Sequence, residues 1–112
     1  MKFYDILMDY SVSNTKSAYA ILSIENKNLE IEITKSVVSN SCFISITVNN
    51  ELIVENKICT VNEPIIKNSR CQSVNALSGD FVFNYTDPAM RNYDFDINYL
   101  GSKLLLSYIS EV

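Results

Sequence analysis

The chain has 112 residues, 47% hydrophobic and 20% charged, which leaves room for one core and is too apolar for a disordered chain. Its net charge is −4, and the bases are scattered rather than gathered into the stripe that nucleic-acid phosphates or an anionic membrane require. No apolar run approaches the roughly 18 uncharged residues of a membrane-spanning helix, so neither nucleic acid nor membrane is expected as a partner.

Strand signals dominate in chain order. Met1–Met8 reads as a strand or a short helix, and Asp5 interrupts the apolar stretch that a secretion signal would need, so synthesis in the cytoplasm is expected. Tyr19-Ala20-Ile21-Leu22-Ser23-Ile24-Glu25 and the alternating Leu29-Glu30-Ile31-Glu32-Ile33-Thr34 form a predicted hairpin, joined by Asn26-Lys27-Asn28. Cys42 to Val48 alternates again, with Cys42, Ile44, Ile46 and Val48 on one face. Asn49-Asn50 turns the chain and Leu52-Ile53-Val54-Glu55 returns as the partner strand. Ile58-Cys59-Thr60-Val61 continues it past a bulge or starts a short strand, which Pro64 ends or confines to an edge.

Lys67 to Asn75 is polar and irregular and reads as a loop, with room for one helical turn. Asp80 to Tyr85 predicts a strand with Phe81, Phe83 and Tyr85 on one face. A second loop opens at Asp87-Pro88 and runs to about Asn98. Lys103 to Ile109 is the closing strand, apolar on both faces and so placed in the middle of a sheet or under a partner. The two glycines, Gly79 and Gly101, each precede a strand. The predicted core includes Ile44, Ile46, Leu104 and Leu106. The fold class that follows is all-β: one small antiparallel domain over residues 1–112, a meander, barrel or sandwich of about six to seven strands.

Catalytic inventory is poor. Histidine is absent, which removes the commonest general base and metal ligand at neutral pH. Cys42, Cys59 and Cys71 are odd in number and widely spaced, as core fillers are, and not as a disulfide or zinc framework, although Cys71, beside Arg70 in a polar stretch, could be an accessible thiol with a modestly lowered pKa. Asp94-Phe95-Asp96, with Asp87, could hold a hard cation, but no glycine-bearing calcium loop surrounds them and a solvated acidic loop is the plainer reading. Asn84-Tyr85-Thr86 matches a glycosylation acceptor by chance in a chain read as cytoplasmic. No catalytic, cofactor-binding or metal residues are assigned, and an enzyme is not expected. The candidate interface is the surface from Asp87 to Tyr99, together with whichever sheet edge is left open; within it Pro88, Met90, Arg91, Tyr93, Phe95 and Tyr99 show little alternation and have an interface composition.

Three stretches carry a resemblance: Phe43 to Val54 as a hairpin, Leu77-Ser78-Gly79-Asp80-Phe81-Val82-Phe83 as a penultimate strand, and Tyr99-Leu100-Gly101-Ser102 leading into Leu104 to Ile109. From Ser41 onward the chain resembles the small baseplate plug proteins of contractile-tailed bacteriophages, departing from them in an Asn at the first turn and in lacking Trp. The resemblance implies a structural virion protein of the tail baseplate, plug- or hub-associated, synthesised in the host cytoplasm. It would be present in multiple copies and act by protein–protein contacts with other baseplate or tail-hub proteins. The residues themselves leave open a free-standing protein- or glycan-binding β module.

Overall fold

The computed structural model describes residues 2–6, 9–10, 17–36, 41–67 and 77–110. Their period-two segments become β1 (Lys2–Ile6), β2 (Asp9–Tyr10), β3 (Ser17–Ile24), β4 (Lys27–Lys35), β5 (Cys42–Val48), β6 (Glu51–Ile58), β7 (Asp80–Tyr85) and β8 (Leu104–Ser110). All named strand pairs are antiparallel. The all-β class expected from the sequence is the one adopted, in two sheets: a five-stranded meander, β2-β3-β4-β5-β6, and a three-stranded sheet, β1-β8-β7.

Alternation sets the inward faces. Leu29, Ile31 and Ile33 of β4 and Cys42, Ile44, Ile46 and Val48 of β5 are buried, as are Phe81, Phe83 and Tyr85 of β7 and Leu104, Leu106 and Tyr108 of β8. Both sheets contribute to one core cluster. The expected core residues Ile44, Ile46, Leu104 and Leu106 are each 0% exposed. The stretch left between strand and helix at the N-terminus contains β1, and β8 is the middle strand of its sheet.

The first hairpin turns one residue earlier than its asparagines suggest. Ile24 pairs with Lys27, so the two-residue turn is Glu25-Asn26, with φ of 54° and 62°, and Lys27 and Asn28 belong to β4. A turn with two left-handed residues matches the strand twist. Asn28 is used elsewhere: its amide donates to Asn49 Oδ1 at 2.9 Å, and the Asn49 amide donates to its carbonyl at 2.8 Å. The Asn49-Asn50 turn, φ 49° and 66°, lies where expected.

β6 is an edge strand with two register shifts against β5. One puts Ile53 and Val54 both in the core; the other places Asn56 at φ 45°, its amide donating to Ser45 Oγ at 3.0 Å. Bulges of this kind twist an edge away from pairing. Beyond Ile58 the chain crosses to the other sheet, where Val61 bridges Phe83 in parallel. The Asn62 and Ile65 amides donate to the Phe83 and Phe81 carbonyls at 2.8 and 2.9 Å. Pro64 lies within this crossing, past the end of β6, and the edge of β7 is covered. Asp80 accepts the Ile66 and Lys67 amides at 2.7 and 2.8 Å. Most of the predicted 67–75 loop, with Cys71, lies outside the described residues.

A polar clamp joins the sheets. Glu25, at the tip of the β3–β4 hairpin, accepts hydrogen bonds from the Ser78 amide at 3.1 Å, Ser78 Oγ at 2.6 Å and the buried Tyr108 hydroxyl at 2.6 Å. The Tyr108 oxygen in turn accepts the Gly79 amide at 2.8 Å. Slight burial pushes the Glu25 carboxyl up, but the hydrogen bonds from Ser78 and Tyr108 outweigh it and hold the pKa below the ordinary value. A lowered folded-state pKa gives stability that is present above the unfolded value and lost as pH falls through the folded one. Glu25→Ala is therefore expected to cost about 1 kcal/mol at neutral pH, the scale of a buried hydrogen bond tempered by the exposed turn. That difference should shrink in acid. Urea melts of both chains across pH check this, and a difference constant from neutral to acid would show that the carboxylate is not what holds the clamp.

Candidate interaction surface

Residues 86–103 connect β7 to β8 and are held by local caps. Asp87 accepts the Ala89 amide at 2.9 Å at the start of the 3-10 turn Pro88–Met90, and Asp96 accepts the Asn98 amide at 2.9 Å before the 3-10 turn Ile97–Tyr99. Both carboxylates thus serve backbone donors. No group of three or more His, Cys, Asp or Glu side chains suited to a metal gathers among the described residues. Gly101, at φ 88°, closes the connection with its amide donating to the Leu104 carbonyl at 2.8 Å.

Tyr85 is the post around which this segment is arranged. Its hydroxyl donates to the Asp94 carbonyl at 2.7 Å, and its ring meets Tyr93 at 5.9 Å and Tyr99 at 6.0 Å, both edge-on. Burial, with Asp96 nearby, pushes its pKa up, so it remains a donor. Phe95 packs edge-on against Phe83 at 4.7 Å. Asn62 Nδ2 donates to the Arg91 carbonyl at 3.0 Å, tying the segment to the crossing strand.

The six candidate interface residues therefore divide. Pro88, Arg91 and Tyr93 are exposed, Phe95 and Tyr99 are half-buried against the core, and Met90 is buried with 6% of its surface in solvent. Met90 faces inward because the capped 3-10 turn directs it there. Arg91, Tyr93 and Phe95 come together along an open groove of about 650 Å³, with Ile58 and Glu63 on its other side. Pro88, Met90 and Tyr99 do not line it.

Ile58 is 50% exposed, and the sequence reading did not single it out, because two bulges reset the phase of β6 before it. Asn56 was the available signal, since asparagine inside a strand often marks positive φ. Cys42 and Cys59 fill the core as free thiols, and burial pushes both pKa values up, away from nucleophilic use.

The family model described as cyanophage baseplate Pam3 plug gp18 matches residues 7–111. The match takes in the N-terminal third as well as the stretch from Ser41 onward that carries the resemblance. No curated protein and no solved structure matches the chain. With two antiparallel sheets and a match over nearly its whole length, the chain belongs to the family of the cyanophage baseplate plug gp18.

Proposed function

We propose that this baseplate plug protein is a structural part of a contractile phage tail that works by protein–protein contacts, and that the surface built on Arg91 and Tyr93 makes one of them. The observation that carries the reading is the state of Tyr93. It is 52% exposed while its ring packs edge-to-face with that of Tyr85, so a large amphipathic ring is held out to solvent with less freedom to lose on binding. Arg91 beside it adds a second residue type favoured at interface centres. Neighbours would be other baseplate or tail-hub proteins, with several copies in the virion after synthesis in the host cytoplasm. A non-catalytic role is supported by the burial of the Cys42 and Cys59 thiols and by the use of Asp80, Asp87 and Asp96 as backbone acceptors.

Tyr93→Ala with Arg91→Ala is the test, because both side chains are exposed, whereas Phe95→Ala would also disturb Phe83. The double variant is expected to keep its melting curve and to weaken incorporation into particles by more than about 1 kcal/mol. Quantifying the chain in purified particles reads the effect. Normal incorporation would remove this surface from the function.

A further inference from the structure

The outward face of the five-stranded sheet departs from the polar surface expected of a solvated strand face. Ile21 is 73% exposed, Tyr19 47% and Leu52 43%. Strand register sets Ile21, Glu30, Thr47 and Leu52 in one row across β3 to β6, and Tyr19, Glu32 and Ser45 in the next. The short side chains of Ser45 and Thr47 leave a trough of about 300 Å³ that Tyr19, Ile21, Glu30 and Glu32 also line. Both carboxylates project from the same face of β4, two residues apart, and among the described residues no cation is paired with either.

We propose that this trough docks a segment of another baseplate protein that carries a lysine or arginine flanked by apolar residues. The proposal rests on the reading of the chain as an assembly component and concerns a different surface from Arg91 and Tyr93. The apolar flanks would cover Ile21 and Tyr19 on one side and Leu52 on the other. The cation would meet Glu30 and Glu32, with Ser45 and Thr47 hydroxyls beside it. Charge excludes the simplest alternative: two copies joined through this face would bring carboxylates against carboxylates, and like charges across an interface oppose association.

Particles carrying benzoylphenylalanine in place of Ile21, irradiated and analysed by mass spectrometry, test the occupant directly. The expected cross-link is to another protein, within a few residues of a lysine or arginine. In parallel, Glu30→Lys with Glu32→Lys should keep the melting curve and lower incorporation about tenfold or more, with Glu30→Gln and Glu32→Gln falling between. A cross-link to a second copy of this chain, no cross-link, or normal incorporation of the charge-reversed variant overturns the proposal. If Tyr93 and Arg91 variants fail to incorporate while these succeed, the assembly role stands and this face is removed. A wild-type chain absent from particles removes both.

Discussion

Gly79→Ala is expected to destabilise the protein by about 3 kcal/mol or more, beyond the usual range for overpacking, because the obstruction is backbone. Gly79 immediately precedes β7 and lies against β8. An alanine methyl there would stand 2.8 Å from the Ile109 carbonyl carbon, 2.9 Å from the Ser110 Cα and closer still to the Ile109 oxygen. A flexible side chain could swing away, but this segment of β8 is paired on both sides, with β1 and with β7. The only relief is to move β7 outward, which would break the hydrogen bond that the Gly79 amide donates to the Tyr108 hydroxyl oxygen and loosen the Glu25 clamp behind it. For a domain whose whole stability is on the order of 5–15 kcal/mol, a loss of this size is read easily in a urea melt. An unchanged midpoint would mean that the close approach at Gly79 can open without penalty.

Ile44→Ala and Leu104→Ala are each expected to cost about 2–5 kcal/mol, the transfer energy of the lost methyl groups plus that of the cavity left behind. Both residues are 0% exposed. They lie on different sheets: Ile44 pairs with Ile33 in the meander, and Leu104 with Tyr85 beside the loop that carries Tyr93. The Leu104 change should therefore also disturb the packing of Tyr85, which a near-ultraviolet spectrum of the tyrosines would record, while the Ile44 change should leave that signal alone. If neither change moves the thermal midpoint, the inward faces have been assigned wrongly.

What could be read in advance follows from physical locality. β4, β5 and β7 each bury one face, and such a strand alternates its residue types. β8 was legible for the opposite reason: apolar on both faces, it had to lie between neighbours. β1 was ambiguous because its structure depends on pairing with β8, about a hundred residues away in sequence, and nothing local to Lys2–Ile6 records that partner. The loop candidates were legible in composition but not in direction. Capped 3-10 turns have no run long enough to show a period, so Met90 turned inward without notice. The Glu25–Tyr108 contact spans 83 residues and places a glutamate in a left-handed turn where local preference would choose asparagine or glycine. A long-range hydrogen bond accounts for that mismatch, and no local pattern could show it.

The order of strands in the smaller sheet also bears on how the protein comes to be folded as it is made. The β3–β6 meander joins neighbours in sequence, so its hairpins close short loops and have all their partners once residue 58 has been synthesised. The smaller sheet is built the other way: its middle strand, β8, ends at Ser110 and holds β1 and β7 together. Until β8 emerges from the ribosome, β1 and β7 have no strand between them, and joining β1 to β8 pairs Lys2 with Ser110, the largest loop-closure cost among the described strand pairs. The Tyr108 hydroxyl that completes the clamp on Glu25 arrives on that same last strand. Joining of the two sheets thus waits on synthesis of β8, and a polypeptide stopped before β8 would hold its local hairpins without the strand that unites the rest.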